Sequence, residues 1–301
     1  MAGSQRVFRQ RIRSTRALSK MFRAQELIAA SRIGKARDRM QHANPYSRAI
    51  TRAVSAVASH SNVTHHLLTE RADTNRVAVL LIASDRGMAG AYSATVIRET
   101  ERLIGRLGDA GKQVDLYVSG RRAIAYYQFR GRPLVGQWQA VSDAPTVEIA
   151  NEIADELLEA FDPPEGVAGV AEVHIVYTHF VNMVTQRPQI VRMLPLEIVE
   201  GVVEHDGDDD SPPLPLYEFE PSSDAVLDEL LPRYVRSRIF ACMLQAAASE
   251  LASRQRAMHT ATENAEDLIR TYTRLANQAR QGEITQEISE IVSGADALAA
   301  S

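Results

Sequence analysis

The sequence predicts an α plus α/β protein: a long antiparallel coiled coil of N- and C-terminal helices, joined to a central Rossmann-like α/β domain. Three observations predict it. From Leu244 to Ala279 small and apolar residues recur at alternating steps of three and four, the seam of a left-handed coiled coil. From residue 8 to about 57 the chain consists of good helix formers, interrupted only by Gly34 and Pro45. Between these ends, short β-branched runs alternate with amphipathic stretches, the rhythm of a largely parallel sheet.

The elements follow in order. The N-terminal helix, within residues 1–58, offers Ala17, Met21, Ala24, Ile28 and Ser31 as a seam, and Asn44-Pro45 is expected to kink it. The central domain, residues 75–200, opens with a buried strand over 77–83. Helices are expected over 92–107, 121–130 and 146–161, with strands over 113–119, 172–180 and 189–198, the last two antiparallel. Residues 201–223 form an acidic, proline-bearing loop. The C-terminal helix occupies 224–301, with a seam at Leu244, Ala247, Leu251, Arg254, Met258, Ala261, Ala265, Leu268, Tyr272, Leu275 and Ala279. A continuous helix over 224–298 spans roughly 110 Å at 1.5 Å per residue, so it needs a partner helix.

Composition bounds the classes. The chain has 301 residues, 45% apolar and 24% charged, with a formal net charge of -4, values of a globular protein rather than a disordered one. The single cysteine, Cys242, has no internal partner, which fits a reducing compartment. The basic N-terminus is followed by no apolar run of signal-peptide length, and no run reaches the roughly 20 residues of a membrane helix. The expectation is therefore no direct membrane insertion. Charge is segregated, with Arg6 to Arg39 almost wholly basic and 204–210 acidic, so one end is suited to an acidic partner. Aromatics are sparse in the basic helix and no base-reading module is present, which argues against nucleic acid.

Few motifs carry chemistry. Ser84-Asp85-Arg86-Gly87-Met88-Ala89-Gly90 lies between a strand and a helix, where α/β sheets bind ligands. It lacks the spacing of a phosphate loop and reads first as a tight turn. Gly111-Lys112 lies between a helix and a strand, the reverse of a P-loop. Asp206, Asp208 and Asp210 begin an EF-hand spacing but lack its glycine and its glutamate. His65-His66 has no carboxylate or cysteine companion in the local sequence and reads as an exposed helix end, so no metal is expected. Arg254 occupies a seam position. Its charge either sets register and meets a partner or snorkels to water, and spacing alone favours snorkelling.

Several blocks of sequence resemble one family. Arg11-Ile12-Arg13-Ser14, Lys20 and Ile28-Ala29-Ala30-Ser31-Arg32 are similar to the N-terminal signature of F-type ATP synthase gamma subunits. The 84–90 turn and Leu230-Leu231-Pro232-Arg233-Tyr234-Val235 resemble further blocks. The closest likeness is C-terminal, in Ala257-Met258, Ala261-Thr262, Asn264-Ala265, Ala279-Arg280-Gln281, Ile284-Thr285-Gln286-Glu287-Ile288 and Glu290-Ile291-Val292-Ser293-Gly294-Ala295. The resemblance covers nearly the whole chain in order. Gln25 stands where the family commonly has Met, and Ala89 replaces its usual Cys. The arginine and alanine content fits a bacterium of high GC content, such as an actinobacterium.

The resemblance implies a rotor shaft without a catalytic site, cofactor or metal of its own. It implies three alpha and three beta subunits around one such chain, an epsilon subunit and a c-ring, on the cytoplasmic face of the bacterial plasma membrane. Proton-driven c-ring rotation would be coupled to ATP synthesis or hydrolysis at the alpha/beta sites. Arg280, Gln281 and Thr285 match positions that touch a beta-subunit loop, and Arg254 matches one near an acidic beta lever. Lys20, Arg23, Gln25 and Arg32 are further beta-contact candidates. Tyr217, Glu218, Phe219 and Glu220 are candidates for the c-ring and epsilon. The alternatives are a structural coiled-coil adaptor unrelated to rotation and an α/β enzyme with helical arms.

Overall fold

The computed structural model describes residues 2–60, 65–69, 71, 73–196, 220 and 222–299. The acidic loop and Tyr217, Glu218 and Phe219 lie outside the described residues. The chain divides into two compact units, Met1–Ala30 with Arg254–Ser301, and Ser31–Ser253.

The larger unit is built on a five-stranded sheet. Its strands are β1 (Arg76–Ile82), β2 (Gln113–Ser119), β3 (Gly136–Trp138), β4 (Glu172–Phe180) and β5 (Gln186–Leu194). Their order is β3-β2-β1-β4-β5. The first four are mutually parallel and β5 runs antiparallel to β4. The helices are α1 (Ala2–His60), α2 (Tyr92–Asp109), α3 (Arg121–Phe129), α4 (Val147–Phe161) and α5 (Ser223–Ala299). The mixed sheet between long terminal helices is the architecture read from the sequence. β3 is the strand that reading missed: three residues give a period-2 signal too little length.

Alternation along β1 assigns the two faces of the sheet. Val77, Val79 and Leu81 pack with Val96, Leu103 and Leu107 of α2 and Ile124 and Tyr127 of α3. Ala78, Leu80 and Ile82 face the other way, toward Ile153, Leu157 and Phe161 of α4 and Leu227, Leu231, Val235 and Ile239 of α5. The first turns of α5 are thus one wall of the domain core. Strands buried on both faces need continuous apolar sequence, which is why β1 reads as an unbroken aliphatic run. Pro232 lies within α5 and Pro45 within α1, both of which continue through.

In the same unit, Ile33 and Ala36 of α1 pack with Ala248, Leu251 and Ala252 of α5. In the smaller unit the two helices run antiparallel. Phe8 stacks on Tyr272, their centroids 6.5 Å apart, with the Arg11 guanidinium over the same ring. Further along, Glu26 meets His259 at 3.0 Å. The partner number falls as the α1 number rises.

The α5 seam is buried at Leu244, Ala247, Leu251, Arg254, Met258 and Ala265, as the heptads require. Leu268 departs from it, being 46% exposed. The expected α1 seam is out of phase: Met21 is 43% and Ile28 46% exposed. The less exposed positions are Ile12, Thr15, Ser19, Phe22, Glu26 and Ala29, continued in the larger unit by Ile33, Ala36, Met40, Ala43, Ser47 and Ile50. That set keeps its alternation of three and four throughout. Ser, Thr and Glu at four of its positions, Thr15, Ser19, Glu26 and Ser47, hide it from an apolar count, while small side chains let backbones approach.

Candidate functional site

The Ser84–Gly90 turn sits at the carboxyl end of β1, at the mouth of the sheet. Its aspartate ties it to two neighbouring segments. The Asp85 carboxylate accepts the backbone N–H of Arg121 at 2.9 Å, at the start of α3. Its other oxygen accepts those of Val141 at 2.8 Å and Ser142 at 2.9 Å. The Ser142 hydroxyl accepts the Asp85 N–H in return, at 2.9 Å. Burial pushes the Asp85 pKa up, but the backbone donors of the 140–142 segment and of Arg121 outweigh it and hold the carboxyl below its ordinary value. The Asp85 carboxylate therefore ties the turn to the start of α3 and to the 141–142 segment. Lys112 of the other glycine motif is likewise engaged, in an ion pair with Glu172.

His65-His66 requires a correction. His65 is buried rather than an exposed helix end, and the fold brings it Asp228 from α5, with Nε2 3.0 Å from Oδ1. His66 lies 3.3 Å from Asp162. Ligand atoms of His65, His66 and Asp228 all lie within 4.8 Å of one another, a spacing that invites a metal. The tautomer argues against one. His65 Nδ1 accepts the Leu67 N–H at 3.0 Å, so the ring proton resides on Nε2 and points to Asp228. Coordination through Nε2 would move that proton to Nδ1, facing the Leu67 N–H. The group is a capping clamp on the short 3-10 turn His66–Leu68.

Burial, then the neighbouring His66, lower the pKa of His65 against the opposing pull of Asp228. Burial also lowers that of His174, against Glu172. The folded state therefore prefers both rings neutral. As pH falls through the ordinary 6.5 the unfolded state takes up protons first, so this stability is present above 6.5 and is lost below it. The melting temperature should be lower at pH 5.5 than at pH 7.5. His65→Asn keeps a capping acceptor and should narrow that gap; an unchanged gap would exclude His65 as a contributor.

The candidate contact residues separate by exposure. Lys20, Arg23, Arg280, Gln281 and Thr285 are exposed in the smaller unit and Gln25 is half-buried. Thr285 donates its hydroxyl to the Gln281 carbonyl at 2.9 Å, which fixes its rotamer. Arg32, in the larger unit, pairs with Asp143, which Arg86 also approaches at 3.7 Å. Glu220 is exposed. Arg254 is 6% exposed, so its head does not snorkel to water. The remaining basic residues of the first 39 are exposed along α1, a cationic surface. Sequence reasoning missed Asp228 and Asp162 as histidine partners, because the first lies 163 residues from His65.

Among the described residues no helix is long and apolar enough to cross a membrane. A family model described as ATP synthase matches residues 4–298. The ATP synthase gamma chain of Beutenbergia cavernae is 66% identical over 301 residues, covering the full length of both chains. That of Kineococcus radiotolerans is 58% identical, covering 100% of this chain and 99% of its own. Among solved structures, a chain of the Euglena gracilis mitochondrial ATP synthase in rotational state 3 superposes with a TM-score of 0.67 at 14% identity, covering 100% of this chain and 96% of that one. A chain from the rotor of the same enzyme in rotational state 1 gives 0.63 at 14%, covering 94% and 100%. The fold is that of those two chains, and on the strength of the full-length sequence matches the chain belongs to the ATP synthase gamma chain family.

Proposed function

We propose that this chain is the central rotor shaft of an F1Fo ATP synthase, coupling proton-driven rotation of a c-ring to ATP synthesis or hydrolysis at alpha/beta sites. It performs no catalysis of its own. The observation that carries this reading is the full-length match to gamma chains, joined to an antiparallel helix pair in which α1 presents an exposed basic surface. One copy would stand within three alpha and three beta subunits, with an epsilon subunit and the c-ring at the sheet domain, on the cytoplasmic face of the plasma membrane. The c-ring and epsilon contact is assigned to Tyr217, Glu218, Phe219 and Glu220.

Each catalytic site would meet a different face of the shaft, and only a difference in contact between faces can bias nucleotide affinity. Exposed charges suit such a bearing, because a charge tolerates sliding better than interlocked side chains do. We assign Lys20, Arg23, Gln25, Arg280, Gln281 and Thr285 to it, all but the half-buried Gln25 being exposed. Arg32, held by Asp143, would need to exchange that partner. Arg254 would act from within the seam by fixing helix register.

Purification through this chain should recover alpha and beta subunits at three copies each, and recovery without them would favour the adaptor reading. Exposed ion pairs contribute roughly 0.2–1 kcal/mol each. The double substitution Arg280→Ala, Gln281→Ala should therefore lower ATP-synthesis rate several-fold in complexes that still assemble. Unchanged synthesis would remove these residues from the bearing.

A further inference from the structure

The larger unit contains a cavity of about 750 Å³ between α1, α4 and α5. We propose that it binds a small amphiphile: an aliphatic chain ending in a single carboxylate. The volume lies within the usual range for small-molecule sites, about 300–1,000 Å³. It exists because small residues stand opposite one another, Ala43 and Ser47 on α1 against Ser237 and Ala241 on α5. Around them Met40, Phe240 and Leu244 supply an apolar floor.

The lining is electrostatically one-sided. It includes Arg233, Arg236 and Arg238, and no aspartate or glutamate. Two of the guanidiniums are already partnered, Arg233 by Glu229 at 2.9 Å and Arg236 by Asp155 at 2.8 Å. Arg238 makes no ion pair among the described residues. A half-buried guanidinium beside an apolar floor satisfies its donors best with a carboxylate, whose two oxygens match the guanidinium fork. Asn44 and Asn151 on the rim offer further amide donors to the same head group. An aliphatic tail on Phe240 and Leu244 completes the fit, since burying it removes apolar surface on both sides from water. A ligand so placed touches three helices at once and would brace α1 against α5 beside Pro45.

The test uses the purified full-length chain and decanoate below its micelle concentration, followed by calorimetry. One decanoate per chain is expected, with a rise in melting temperature. Decanol and decyltrimethylammonium should each bind at least about tenfold more weakly, as loss of a hydrogen bond to a charged group implies. Arg238→Gln should weaken decanoate by a similar factor and leave decanol unaffected. Ala43→Phe, and independently Ala241→Phe from the facing helix, should abolish binding by filling the space. Absence of saturable binding, equal affinity for decanol, or binding that survives in a folded filling variant would each overturn the proposal.

Discussion

Gly120→Ala is expected to be among the most damaging single substitutions in the larger unit. Gly120 precedes α3 with φ +113°, a region that residues with a side chain rarely enter. A Cβ there would lie 2.4 Å from the Ala83 carbonyl oxygen and 2.6 Å from its carbon. Both are backbone atoms at the end of β1 and cannot swing aside. Dihedral strain of about 1–3 kcal/mol adds to an overpacking penalty of about 1–3 kcal/mol. A total on the order of 4 kcal/mol corresponds to a drop of roughly 8–15 °C in melting temperature for a unit of this size. Gly131→Ala is the control. Its φ is +67°, but nothing lies within 4 Å of the added carbon, so only about 1–2 kcal/mol of strain applies. Thermal melts of the two variants should differ clearly, and equal melting temperatures would refute the close approach.

Asp85→Ala should be comparably severe, for an electrostatic reason. It removes one carboxylate and strands the N–H groups of Arg121, Val141 and Ser142. Each buried orphan donor costs about 1–3 kcal/mol. The carboxylate also restrains strained backbone, since Ala140 sits at φ +64°. Asp85→Asn is no remedy, because its amide nitrogen would face a donor. Loss of about 3–5 kcal/mol is expected for the alanine variant and somewhat less for asparagine. The acid dependence follows from the depressed pKa: the contribution is present above the ordinary carboxyl value of 3.8 and vanishes as pH falls through the lower folded value. Denaturant titrations should show a shallower acid slope in Asp85→Asn than in the parent.

Much of this architecture is readable from particular residues. The unbroken aliphatic run of β1 and the regular recurrence from Leu244 onward state their own periodicity. The α1 seam does not, because Thr15, Ser19 and Glu26 hold seam positions while Met21 and Ile28 are exposed beside them. Polar identity outweighed spacing there. The Asp85 clamp was legible only as a turn, since its donors belong to segments 36 and about 56 residues further on. The His65 clamp was invisible for the same reason. Arg254 was visible as an anomaly, but its burial depends on neighbours that no heptad names.

The wall that α5 supplies to the sheet carries a consequence for biosynthesis. Leu227, Leu231, Val235 and Ile239 emerge from the ribosome after every strand they cover. Until they arrive, the face bearing Leu80, Ile82 and Tyr177 lacks that cover, and newly made chains with exposed apolar surface are aggregation-prone. Folding of this domain must therefore wait for a late stretch of the message, and a ribosome that stalls before codon 223 would release an adhesive fragment rather than a usable base.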